Sequence, residues 1–254
     1  MSNDDGVRSA GLEALVAAMA PLGEVWVVAP EVEQSAASHA ISLHRPLRIR
    51  KVRERWYSVD GTPTDCAYLA IHHLMKDAVP TLAVSGINHG PNLADDVTYS
   101  GTVAAALEAS LLGVPAIAFS LVARARPLDF THAAHFARGL TAAALEHPLP
   151  PRLVLNVNVP SATAPRGWVV TRLGRHSYGN QVVENTDPRG RRYYWIGGSG
   201  YAHEDLPGSD CNAVLDQNLI SVTPVLLDLT DLARMEELGR WSVEGFGAPG
   251  AAKI

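Results

Sequence analysis

Helical segments alternating with short apolar runs predict an α/β protein: a mostly parallel sheet with helices on both faces, followed by a β-rich and helical extension. Three observations carry that prediction. Apolar residues recur at helical spacing in segments closed by glycine or followed directly by a strand. The runs between them are short and apolar throughout, as strands buried on both faces are. After Pro160 the texture changes, and polar, glycine-rich stretches separate the remaining apolar runs.

In order, residues 9–22 place Leu12, Leu15, Val16 and Met19 on one helical face, with Gly23 as the stop. Residues 24–30 (EVWVVAP) read as a buried strand ending in proline. Thr62-Pro63-Thr64-Asp65 is a helix start, with a capping hydroxyl, proline at the first position and an early acid, and its helix runs to about residue 76. Residues 81–85 (TLAVS) form the next strand, 102–112 an alanine-rich helix closed by Gly113, and 115–121 a strand. Residues 130–147 and 152–157 continue the pattern as helix and strand. Residues 167–173, 192–196 and 219–224 read as strands and 229–241 as a last helix. The expected organisation is one domain over 1–241, with a core to about 160, an oligomerising extension over about 161–241, and a small, flexible tail over 242–254.

The chain has 254 residues, 47% of them hydrophobic and 19% charged, enough for one large folded domain. A formal charge of −5 argues against extended nucleic acid as a partner, though not against a small phosphorylated one. Two cysteines, Cys66 and Cys211, make neither a disulfide framework nor a zinc site, and the expected compartment is reducing. Without a leader-type start or a long apolar span, a soluble cytoplasmic protein is expected.

Four segments fall at the carboxyl ends of the expected strands, the edge where open α/β sheets bind ligands: Asn3–Gly6, Glu31–His39, Gly86–Asn92 and Ser100–Thr102. Asp4 and Asp5 are adjacent acids that a turn at Gly6 lets face one ion. Asp4, Asp5, Ser35 and Asn88 offer oxygen donors only, which suits Mg²⁺, Mn²⁺ or Ca²⁺ over zinc or copper. Ser100-Gly101-Thr102 opens a helix, where free N–H groups make an anion pocket. A cation beside such a pocket describes phosphate-ester chemistry. His132 with His135, and His72 with His73, read as solvated helix residues. No nucleophile elbow, P-loop or dinucleotide-binding glycine motif is present.

The blocks Asn3-Asp4-Asp5-Gly6, VVAPEVEQSAASHAIS, YSVDGTPTDC, SGINHGPNLADDVTYSGTVAAALEA and DPRGRRYYWIG together resemble the SurE family of stationary-phase survival proteins, from Asn3 to about Trp241. The resemblance implies a Rossmann-like three-layer core and a metal-dependent phosphomonoesterase acting on nucleoside 5′- and 3′-monophosphates, in some members also on short polyphosphate. It implies one divalent cation per subunit, Mn²⁺ or Mg²⁺ with Ca²⁺ as a crystal substitute. It also implies a dimer or tetramer that exchanges the C-terminal extension. By motif match, Asp4, Asp5, Ser35 and Asn88 take the metal positions, and Asn92, Ser100, Gly101 and Thr102 fall around the phosphate. Asp4 is the expected general base.

The chain departs from the family at its start. An apolar strand is expected ahead of the Asn3–Gly6 block, yet only Met1 and Ser2 precede it. A strand of about five residues, about 16 Å long, is therefore expected to be missing, through a start placed too late. On that basis Asp4 and Asp5 would sit on a short, unanchored end near the α-amino group. A rival expectation follows: a nucleotide- or phosphate-binding protein without turnover. A weaker one is an unrelated α/β hydrolase that needs no cation.

Overall fold

The fold is that of a computed structural model, which describes residues 1–123, 127–161, 163–177, 182–196 and 202–243. Of the tail expected over 242–254, all but Ser242 and Val243 lies outside them.

Helix α1 (Ala10–Met19) starts at Ser9, whose side chain accepts the Leu12 N–H, and it buries Leu12, Leu15 and Met19. Strand β1 (Val27–Pro30) is buried along its length. A hairpin follows, β2 (Ile49–Arg53) and β3 (Trp56–Val59), with β3 parallel to β1 and antiparallel to β2. Helix α2 (Pro63–Leu69) opens on a full capping box: Thr62 accepts the Asp65 N–H, and Asp65 accepts the Thr62 N–H. Strand β4 (Ala83–Asn88), helix α3 (Gly101–Leu111), strand β5 (Ala116–Val122), helix α4 (Thr131–Glu146) and strand β6 (Leu153–Pro160) complete the alternating part. Beyond it come β7 (Trp168–Val170), β8 (His176–Ser177), β9 (Val182–Thr186), β10 (Arg192–Ile196), β11 (Ala202–His203), β12 (Ile220–Leu226) and α5 (Leu232–Leu238).

One sheet has five strands in the order β4-β5-β6-β12-β7, and a second has three in the order β1-β3-β2. Within the first, β4, β5 and β6 run parallel, and β12 is antiparallel to β6 and parallel to β7. Fully buried β5 shows why the sheet is covered twice. Its residues alternate in size, as a period of two requires. Ile117, Phe119 and Leu121 pack with Leu15 and Met19 of α1 and Ala133 and Ala137 of α4. Ala116 and Ala118, on the other face, pack with Val103, Ala106 and Ala109 of α3 and with Ile71 just beyond α2. Small residues on both sides let α3 lie close to the sheet.

Met1 and Ser2 join the two sheets. The Val28 N–H donates to the Met1 carbonyl (2.9 Å), Ser2 N–H to Val84 O (3.2 Å), and Gly86 N–H to Ser2 O (2.9 Å), with Ser2 bridging parallel to Ser85. The place expected for a first strand is thus held by a two-residue seam between β1 and β4. Beside the seam lies a cavity of about 470 Å³, lined by Met1, Trp26, Val28, Leu74, Leu82 and Val84 among others. The start of the chain is anchored, contrary to the expected loose end. The α-ammonium donates to Trp26 O (2.6 Å), Asn3 is fully buried, and Asp4 is 4% exposed. Backbone pairing on both sides and an Asn3 side chain that donates to Gly6 O and Ser9 Oγ explain this order.

Candidate active site

Asp4 and Asp5 leave the seam at the carboxyl edge of the sheet. The turn expected at Gly6 is present, with φ +97, a conformation glycine adopts without strain. Asp4 carbonyl accepts the Gln34 N–H (2.7 Å), which ties the segment after β1 to the acid pair. The Asp4 carboxylate turns to α3: Oδ1 accepts the Thr102 hydroxyl, and the backbone N–H groups of Gly101 and Thr102 also serve it. A Cβ added to Gly101 would lie 2.8 Å from Asp4 Cβ, so α3 reaches the acid only because position 101 lacks a side chain. The N–H groups at the start of α3, expected to be free for an anion, are thus turned on the Asp4 carboxylate.

Asp5 faces the segment after β4. Its Oδ2 accepts the His89 N–H (3.1 Å), and His89 Nδ1 stands 3.4 Å from Oδ1. Asn88, one residue earlier, donates its side-chain N–H to Gly90 O (3.0 Å). The register of β4 on β5 shifts between Ser85 and Asn88, which brings Asn88 to the edge. Ser35 stands on the exposed segment after β1 and donates to Glu33 Oε1 (2.8 Å). That segment is fastened across the cleft, where Ser38 N–H donates to Tyr99 O and Ser38 Oγ to Thr98 O.

Asn92 and Ser100 complete the expected set. Ser100 caps α3 by accepting the Val103 N–H (3.0 Å). Asn92 is buried in a polar network: its N–H donates to Asn158 Oδ1, its Nδ2 to Ser120 Oγ, and its carbonyl accepts from both Asn156 and Asn158. Buried amides hold position when they are so fully paired. Sequence reasoning missed Ser120, Asn156 and Asn158, although the alternation in residues 153–160 (LVLNVNVP) was a readable sign that both amides share one face. It also missed Glu33 and His89, both in direct reach of the named residues.

Electrostatics set the character of the cleft. Burial pushes the Asp4 carboxyl up, against the donors from Thr102 and Gly101. Burial, then the charge of Asp4, push Asp5 up to about 7, with Glu33 adding to the effect. Neighbouring carboxylates that resist losing both protons are a pair that binding a cation would relieve. No group of three or more His, Cys, Asp or Glu side chains among the described residues is placed to hold a metal. A cation here would rest on two carboxylates plus neutral oxygens, a donor set for a hard ion.

Sheet edge, acid pair and helix start together define an α/β enzyme scaffold with two neighbouring carboxylates at its carboxyl edge. The family model described as "Survival protein SurE" matches residues 1–180. The chain belongs to the SurE family. It is 69% identical over 246 residues to the 5′-nucleotidase SurE of Myxococcus xanthus (strain DK1622), covering 97% of this chain and 94% of that protein. It is 58% identical over 247 residues to the 5′-nucleotidase SurE of Anaeromyxobacter dehalogenans (strain 2CP-C), covering 97% of this chain and 96% of that protein. The crystal structure of the SurE protein from Aquifex aeolicus superposes with a TM-score of 0.84 at 39% identity, covering 93% of this chain and 96% of that one.

Proposed function

We propose that this protein is a metal-dependent 5′-nucleotidase that hydrolyses nucleoside monophosphates to nucleoside and phosphate, with 3′-monophosphates and short polyphosphate as further substrates. The observation that carries the reading is the acid pair Asp4–Asp5, held between the start of α3 and the end of β4 with His89 beside Asp5. Kinship with proteins named 5′-nucleotidase SurE supports it.

Asp4, Asp5, Ser35 and Asn88 would hold one divalent cation, Mn²⁺ or Mg²⁺. When bound, that ion supplies Lewis-acid polarisation of the phosphoryl group. Gly101 and Thr102 of α3 and the loop from Asn92 to Ser100 orient the phosphate and answer its charge. One proton must leave the attacking water. Asp4 is the proposed general base; it is encased by donors from Thr102 and Gly101, and Asp5 is the more open of the two carboxylates. The Asn156–Asn158–Ser120 network keeps the Asn92 loop rigid through the reaction.

The extension from about residue 161 is proposed to join two copies, since the β9–β10 hairpin presents Tyr194, Trp195 and Ile196 to solvent. Two buried free thiols, Cys66 and Cys211, fit a reducing compartment. No helix among the described residues is long and apolar enough to cross a membrane.

Phosphate release from AMP and 3′-AMP tests the activity, with Mn²⁺, Mg²⁺ or EDTA. Release should need the cation, and EDTA should abolish it. Asp4→Asn and Asp5→Asn should each fold and lose about 10²-fold or more in kcat. Cation-independent release, or full turnover by either variant, would sink the reading. Nucleotide binding without release from the wild type would favour the binding-protein alternative.

A further inference from the structure

We infer that Asp210, in the extension, is a positioning residue that holds the loop from Asn92 to Ser100 in the pose that serves the phosphate. The inference rests on the reading of that loop as the phosphate side of the site.

Asp210 lies between β11 and β12 and is wholly buried. Its carboxylate joins two distant parts of the chain. Oδ2 accepts the Ala94 N–H of the loop at 2.9 Å, across 116 positions. Oδ1 accepts the N–H groups of Gly174 at 2.7 Å and Cys211 at 2.8 Å, both in the extension. The Asp210 N–H donates to Arg172 O (2.9 Å), beside the bridge between Arg172 and Ser209.

The loop needs this acceptor. Ala94 opens a short 3₁₀ turn, Ala94–Thr98, and the preceding Leu93 has no side-chain oxygen to cap it. Ala94 is buried with φ +51, a conformation in which a residue with a Cβ must be held by its surroundings. Asp210 supplies the cap from outside; without it a buried N–H would lose water and gain nothing. The hydrogen bonds then run on towards the site. Asp96 O accepts the N–H groups of Tyr99 (2.9 Å) and Ser100 (3.0 Å), and Ser100 caps α3. Leu93 packs with Val122, Cys211 and Val214. The loop is thus gripped twice, at Asn92 by Asn158 and Ser120 of the sheet and at Ala94 by the extension.

Gly174 makes the second grip possible. A Cβ there would lie 2.9 Å from Cys211 Sγ and 3.0 Å from Asp210 Oδ1. An amide at position 210 cannot replace the acid, because it accepts through one oxygen only and points an NH₂ donor at the N–H on the other side.

Asp210→Asn therefore breaks one side of the link at constant volume. Its KM for AMP and the inhibition constant of inorganic phosphate should each rise about 10-fold. Its kcat, and its Mn²⁺ affinity by calorimetry, should stay within about threefold of wild type, because the residues assigned to the ion lie outside the loop. Hydrogen exchange should quicken in peptides covering 93–100 and not in β5. Gly174→Ala leaves the carboxylate in place and displaces the extension side; it should show the same pattern, and it carries the test if Asp210→Asn does not fold. A folded variant with wild-type KM or unchanged loop exchange overturns the inference, as does one that loses Mn²⁺ affinity in step with phosphate affinity. If wild type releases no phosphate from AMP, the nucleotidase reading fails and loop exchange alone decides the role of Asp210.

Discussion

Asp4 shows how much one side chain depends on residues far along the chain. It meets Thr102 across 98 positions, and neither contact nor consequence is visible in the six residues that surround it. The acid pair itself was legible, because adjacent carboxylates before a glycine announce themselves. His89, Ser120, Asn156 and Asn158 were not, because their roles depend on which strands lie side by side. A similar long-range contact holds the extension. His176 of β8 places Nδ1 3.1 Å from Asp96 Oδ2, and its side chain is 2% exposed. The hydrogen bond that His176 donates to Asp96, then the charge of Asp96, raise the His176 pKa above the ordinary imidazole value, against burial. A raised pKa means the folded protein holds this proton longer than the unfolded chain. The clasp therefore stabilises fully below about pH 6.5, the unfolded value, and fades as pH rises through the folded one. The difference in melting temperature between wild type and His176→Gln should be largest near pH 6 and shrink by pH 8. A gap that widens with pH would refute the assignment.

Elements divide by how locally their signals are written. The start of helix α2 was readable to the residue, since Thr62, Pro63 and Asp65 form the capping box, whereas the α-helix expected to about residue 76 ends at Leu69 and passes into a π-helical turn over Ala70–Leu74. Strand β5 was readable because its apolar run has no other use. Hairpin β2–β3 was missed: residues 49–53 read IRKVR, with four of the five exposed, and a charged outer strand has no apolar run to betray it. Strand β9 was missed for a like reason, its five residues all exposed. The expected mostly parallel sheet is present, carried as a five-stranded and a three-stranded sheet joined at the Met1–Ser2 seam, with β12 antiparallel beside β6. Burial, where sequence reading was strongest, also makes the firmest energetic forecast. Phe119 is wholly buried between α1 and α4. Phe119→Ala should cost about 3–5 kcal/mol in chemical denaturation, with the m-value unchanged. A loss under 1 kcal/mol would mean that this face repacks.

The molecule as a whole carries a packed α/β body and an arm with little cover of its own. In β10, Trp195 is 64% exposed and Ile196 94% exposed, and α5 shows Leu232 and Met235 at 72% and 57%. Apolar surface of this kind marks an association face. Sedimentation velocity should find wild type larger than a monomer and Trp195→Glu/Ile196→Glu shifted towards one. A wild-type monomer at micromolar concentration would rule the interface out.

The seam between β1 and β4 has a thermal consequence. Two sheets stitched at so few hydrogen bonds need not melt together, since proteins open locally in cooperative units of unequal stability. Only Asn3 separates Ser2 from Asp4 and Asp5, so parting the sheets pulls both acids from α3 and β4 while most helices stay intact. Heating should therefore silence turnover at temperatures where far-ultraviolet dichroism is still native, and a saturating cation should bring the two transitions together; coincident loss without cation would show the sheets to be one unit.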